Sequence, residues 1–250
     1  MTNHYGVGAR LLAVAVGASL AAWSAGAWAD TVRESRTVAQ PFSEVRLEGN
    51  FDLELTQSDT VSLQIESSRE DLPTIRSEVR DGVLTLRRDD SGALGFFRSW
   101  SHRQPARVLL SAKSVERLFV DGAGDAHVGD WKADSLEVYI TGAGDVKVDR
   151  LTAVRFSCDV SGSGDVALAG SVTRQRIRLS GSGDYRAPDL RSQTASVSIS
   201  GSGDAVLWAE RTLEARIRGS GDVRYYGTPT VTQSVAGSGS VTGLGARNAP

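Results

Sequence analysis

The chain has 250 residues, a formal net charge of −2, one cysteine and three histidines. The near-neutral balance gives no electrostatic footprint for nucleic acid or an anionic membrane surface. A lone Cys158 cannot form an internal disulfide, so the fold must be held by burial and hydrogen bonding alone.

Residues 1–29 have the pattern of a secretory signal peptide. Arg10 is the one formal charge before the apolar run Leu11–Ala22, and Ala27-Trp28-Ala29 is an A-x-A cleavage pattern. Asp30 is then the expected first residue of the mature protein. Loss of Arg10 takes the net charge from −2 to −3. A membrane anchor is the alternative, but the apolar run is short of the roughly 20 residues that span a bilayer. Residues 30–40 form a lead-in. Four short runs then alternate as strands do: Val45–Leu47, Phe51–Leu55, Val61–Ile65 and Val83–Leu86. Gly49-Asn50 and Asp81-Gly82 are turn signals between them. Ser68–Ile75 reads as a short helix or loop limited by Pro73.

Residues 89–104 read as an insertion that places Phe96, Phe97 and Trp100 among Ser, Gly and Arg. Exposed, these aromatics would form a contact surface; folded back, they would cover an open end of the core. Strand character resumes at Val108–Leu110 and Leu118–Val120. The whole of 41–120 is thus a β-rich segment able to cap the remainder of the chain.

From residue 121 to 245 the chain repeats. Gly122–Asp125 and Gly142–Asp145 read GAGD. Gly162–Asp165, Gly181–Asp184, Gly201–Asp204 and Gly219–Asp222 read GSGD, and Gly237–Ser240 reads GSGS. Successive copies lie 20, 20, 19, 20, 18 and 18 residues apart. Alternating apolar residues precede each corner, as in Leu136, Val138 and Ile140, or Phe156, Cys158 and Val160. A second short strand comes after each corner, as in Val146 and Val148, and then a less regular stretch. A unit this short cannot bury its own apolar face, so the copies must stack. The predicted fold is all-β: a parallel β-helix of ~20-residue coils, right-handed by the crossover rule, with an N-terminal β-rich cap. Residues 246–250 form a tail.

The glycines supply the backbone freedom that a sharp corner needs. The aspartates have two readings. They can accept hydrogen bonds from backbone N–H groups at the turn. Alternatively, Asp125, Asp145, Asp165, Asp184, Asp204 and Asp222 stack into a carboxylate ladder able to hold calcium. The backbone reading is preferred, and no cofactor is expected. Little points to catalysis. The mature histidines, His102 and His127, have no metal-binding spacing. Cys158 falls at an inward strand position, and no nucleophile elbow is present. Six near-identical Asp sites are what a scaffold makes, whereas an active site breaks a repeat. Arg174, Arg176 and Arg178 do break it. With Arg216 and Arg218 they could form a basic patch for acidic sugars, or simply a solvated face.

The start F-x-x-V-x-L-x-G-x-F-D-L-x-L (Phe42 to Leu55), the segment Val79 to Leu86 and the run of G-[AS]-G-D coils together resemble the "putative auto-transporter adhesin, head GIN domain" family. The resemblance covers roughly residues 41–245 and implies a parallel β-helix in a bacterial exported domain of unknown function. It carries over no catalytic residues. Pro250 comes soon after the last coil, so no translocation barrel is expected to follow. The protein is therefore expected in the periplasm, secreted, or at the surface by another route. The expected function is that of a non-catalytic exported solenoid, adhesin-like, binding a glycan or envelope protein. The alternatives are a polysaccharide lyase or hydrolase, and a module that assembles end to end through its open coils.

Overall fold

A computed structural model of the protein describes residues 31–89 and 104–247. Residues 1–29, expected to be a signal peptide, and Phe96, Phe97 and Trp100 lie outside the described residues. Sixteen strands among the described residues join one hydrogen-bonded sheet that winds into a β-solenoid.

Each regular coil is one long strand between two corners. These are β9 (Ala126–Gly142), β10 (Val146–Gly162), β11 (Val166–Gly181), β12 (Tyr185–Gly201) and β13 (Ala205–Gly219). They pair in parallel, with Gly142, Gly162, Gly181, Gly201 and Gly219 stacked one above another. The stretch expected to be less regular is therefore strand. Neighbours above and below supply partners to every coil, so pairing continues through the bend. Departures are local. The β12–β13 register slips between Arg186 and Arg191, around Pro188, which has no N–H to donate.

The apolar columns predicted from alternation fill the interior. Val138, Cys158, Ile177, Val197 and Ala215 succeed one another in register, each 1% exposed or less. The bend contributes Trp131, Leu151 and Leu190, also buried. At about 25 cal/mol per Å² of apolar area, such columns are the main source of stability in a chain without disulfides.

The two glycines of each corner do different things. The first has φ between +117° at Gly49 and +147° at Gly122, a region that side chains with a Cβ rarely adopt. The second has no such φ, but its backbone passes against the coil above: a Cβ on Gly164 would lie 2.1 Å from the Gly144 carbonyl oxygen. The middle residue is exposed in every G-x-G corner, so its small size is not dictated by space.

The N-terminal segment is part of the stack, not a separate cap alone. β2 (Glu44–Gly49) and β3 (Phe51–Gln57) form a coil directly above β8 (Arg117–Gly122) and the start of β9. Above that coil lie β6 (Val83–Arg88) and β7 (Ala106–Ala112), again in parallel. β6 thus ends and β7 begins where the next coil has its Gly49-Asn50 corner. The remaining strands run antiparallel and close this end. β4 (Ser62–Ser68) covers β7, β1 (Thr31–Arg36) covers β4, and β5 (Ile75–Arg80) covers β6. The sequence pattern does not mark β1 and β5 as strands. A 3-10 turn at Leu72–Thr74 sits where a short helix or loop is expected. At the other end, β14 (Val223–Tyr226), β15 (Thr230–Gly237) and β16 (Val241–Gly243) make the last, incomplete coil.

Candidate functional site

Stacking turns the conspicuous aspartates into a line along one edge. Each Oδ1 accepts the backbone N–H of the next Asp in the stack. Asp145 accepts from Asp165 at 2.8 Å, Asp165 from Asp184 at 2.9 Å and Asp184 from Asp204 at 2.8 Å. The line starts one coil earlier than the repeat suggests, because Asp52 accepts from Asp125 at 3.2 Å. It ends where the repeat ends: Ser240 donates both its N–H and its hydroxyl to Asp222, each at 2.8 Å. Carboxylate repulsion is relieved by these donors and by arginine. Arg186 bridges the free oxygens of Asp165 and Asp184 at 2.6 and 2.8 Å, and Arg224 reaches Asp204 at 3.2 Å. Among the described residues no three His, Cys, Asp or Glu side chains cluster closely enough to hold a metal ion.

Near the start of this line, His127 lies between two carboxylates. Nδ1 is 3.0 Å from Glu54 and Nε2 is 2.8 Å from Asp149. The Asp149 hydrogen bond is the largest influence, and it raises the His127 pKa. The same bond, with Lys147 assisting, lowers that of Asp149.

Cys158 is fully buried, and burial drives its thiol pKa up, which disfavours the thiolate that a nucleophile needs. Beside it the interior holds one polar cluster. Tyr185 donates to Gln175 Oε1 at 2.9 Å, and Gln175 Nε2 donates to Ser192 Oγ at 2.8 Å and to the Trp208 carbonyl at 3.0 Å. Every polar atom of the Gln175 amide has a partner, as a buried amide requires.

Directly outside Gln175 a groove of about 670 Å³ runs along the stack. Two rows of outward side chains line it, one residue of each row per coil. The first row is Ser135, Arg155, Arg174, Thr194, Thr212 and Thr230; the second is Glu137, Ser157, Arg176, Ser196, Glu214 and Thr232. Five coil steps of about 4.8 Å make it roughly 24 Å long. Phe156, Ala195 and Leu213 form its buried floor.

Of the three arginines singled out by the sequence, the groove takes two. Arg174 and Arg176 line it together with Arg155, which the sequence pattern does not single out. Arg178 is excluded, held by both oxygens of Asp159 at 3.2 and 3.3 Å. Arg216 is likewise held, by Glu214. Arg155, Arg174 and Arg176 are exposed and have no ion pair among the described residues. A signal for them exists: the groove rows stand seven and five residues before the first glycine of each corner.

The family described as "Putative auto-transporter adhesin, head GIN domain" matches residues 41–229, and the chain belongs to it. Solved structures share the fold. A "putative adhesin" from Bacteroides fragilis superposes with a TM-score of 0.79 at 24% identity, covering 86% of this chain and 98% of that one. A "putative lipid binding protein" from Parabacteroides distasonis gives 0.67 at 23%, covering 86% and 97%. A second P. distasonis structure, a "putative adhesin", gives 0.65 at 24%, covering 86% and 97%. None of these descriptions names an enzyme. No curated protein matches the chain. Among the described residues no helix is long and apolar enough to cross a membrane.

Proposed function

We propose that this protein is a non-catalytic, exported binding module of the bacterial cell envelope, and that its ligand is an extended acidic glycan laid along the groove. The observation that carries this is the set of three neighbouring arginines with no carboxylate partner among the described residues, in the middle of a long, hydroxyl-lined channel. Arg155 and Arg174 stand opposite each other on adjacent strands, about 4.8 Å apart along the stack. Like charges so placed repel by about 1 kcal/mol or less in water. An anion entering between them reverses that sign and gains charge-assisted hydrogen bonds.

The rest of the lining favours a glycan over a peptide. Around the arginines the strands beneath the groove, β10 to β12, already spend their N–H and C=O groups on neighbouring coils, so no peptide strand can add to them there. What remains on offer is guanidinium and the hydroxyls of Ser135, Ser157, Ser196, Thr194, Thr212 and Thr230, which can both donate to and accept from sugar hydroxyls. The lining carboxylates support a role without chemistry. Glu137 and Glu214 lie four coil steps apart, roughly 19 Å, whereas glycosidic cleavage needs a carboxyl pair within about 5–9.5 Å.

The test is calorimetric titration with a uronate-rich polysaccharide and with its esterified, neutral form. The acidic form is expected to bind, and to bind more weakly as salt is raised. An Arg174→Glu/Arg176→Glu variant is expected to lose at least about tenfold in affinity, or about 1.4 kcal/mol, while its far-UV circular dichroism stays unchanged. Equal binding of the neutral polymer, or full affinity in the variant, would overturn the proposal.

A further inference from the structure

The two ends of the solenoid are finished in opposite ways. At the N-terminal end the outermost strands among the described residues, β1 and β5, pair there on one side only and carry Arg33, Glu34 and Arg36, and Arg76, Glu78 and Arg80. Charged side chains on an edge strand deter further pairing. At the C-terminal end, among the described residues, β15 pairs only with β13, and β16 only with β14. No charged residue occurs from Tyr225 to Ala246. Val235 continues the inward column of Ile199 and Ile217, yet it is 40% exposed. Among the described residues, an apolar column and a row of backbone donors and acceptors therefore stop there without a covering strand.

Two features of β15 specify what fits there. Its sequence, Thr230-Val-Thr-Gln-Ser-Val-Ala236, is close to a palindrome about Gln233: Val231 mirrors Val235, and Thr232 mirrors Ser234. Gln233 also breaks its column. Leu118, Val138, Cys158, Ile177, Val197 and Ala215 precede it in register, all apolar.

We propose that this edge docks a second copy of the chain tail to tail, with β15 pairing antiparallel to the partner's β15 about a two-fold axis at Gln233. A two-fold axis normal to the sheet reverses both strand direction and stack direction, but it keeps the inward face inward. The two cores then run on as one, with Val231 opposite the partner's Val235. Gln233 meets its own copy, and each amide can donate to the other and accept from it. A polar pair satisfied in one register only fixes that register, the best-attested use of a polar group in a core. The uncharged edge meets itself without repulsion and without burying a charge. Such a self-complementary contact closes at two copies. Open head-to-tail stacking would instead press this edge against the charged strands β1 and β5.

Sedimentation velocity from about 1 μM to about 1 mM is expected to show monomer passing to dimer and no further. Gln233→Cys, oxidised, is expected to give a covalent dimer, while Arg33→Cys on β1 gives none. Buried Cys158 does not compete. Val235→Lys is expected to weaken dimerisation at least about tenfold, since it sets a charge at the pairing edge, with melting of the monomer unchanged. A protein that stays monomeric throughout and does not cross-link through position 233 overturns the proposal. So does growth beyond the dimer, which would mean head-to-tail stacking, or cross-linking through position 33, which would mean pairing of the two N-terminal ends.

Discussion

Two rows of side chains run down the same stack, one residue per coil in each, and they have opposite fates. The aspartate row is the loudest signal in the sequence, and each oxygen named Oδ1 is occupied by the N–H of the next coil. The row through Ser135, Arg155, Arg174 and Thr194 changes residue type from coil to coil and leaves its cations unpaired. The same geometric repeat underlies both. Where every coil needs the same backbone contact, the residue repeats. Where the side chain faces solvent with no backbone contact to satisfy, the sequence is free to vary, and a site can be written there.

Substitutions can break or sharpen that contrast. The largest effect is expected at the corners that create both rows. Gly164→Ala puts a methyl carbon 2.1 Å from the Gly144 oxygen and 3.0 Å from Ile140 Cγ2, both in the coil above. The coils must separate, and urea denaturation should show a loss of about 3 kcal/mol or more. A loss below about 1 kcal/mol would mean the stack yields easily there. Next comes the aspartate row. Asp165→Ala removes the acceptor of the Asp184 N–H and one carboxylate from Arg186. Leaving that N–H unpaired should cost about 1–3 kcal/mol. Because these carboxylates are already engaged, millimolar calcium or EDTA should leave the melting temperature of the wild-type protein unmoved. A clear rise with calcium would show a ligand bound to the folded state and would make the row a site after all.

The arginine row should respond in the reverse sense. Arg174→Glu removes a repulsive pair and can form an ion pair with Arg155, so stability should stay within about 0.5 kcal/mol of wild type. A loss as large as that of Asp165→Ala would make the arginines structural. The smallest effect is expected at His127. Its pKa is raised when folded, chiefly through Asp149. The stabilisation it brings is therefore complete below its ordinary value of about 6.5 and fades as pH rises through the folded value. Wild-type melting should fall slightly from pH 6 toward 8 relative to His127→Ala, and parallel curves would mean that the histidine contributes nothing.

Some of the site is within reach of the sequence, some is not. Arg174 and Arg176 stand out because, with Arg178, they break the repeat and give one coil a basic outer face. Arg155 does not, although it occupies the position of Arg174 one coil earlier. Arg178 looks equivalent to its neighbours; only the register with Asp159 shows that it is neutralised. Gly49-Asn50-Phe51-Asp52 reads as a turn and then a strand, since it lacks the second glycine. Yet Asp52 heads the aspartate row and Gly49 stacks on Gly122.

The sequence by itself determined the coil. A period near 20, inward alternation and paired glycines leave few ways other than stacking to bury the apolar residues. Those are local and nearest-neighbour properties, and a repeat writes them out openly. Only the tertiary structure decided that β2 and β3 enter the stack below β6 and β7, against chain order. It also decided which arginines meet a carboxylate and which meet solvent, and that one end is closed by antiparallel strands while the other is left open. These depend on pairing between residues far apart in the chain, and the spacing of a repeat does not encode the partner across a coil until the register is set.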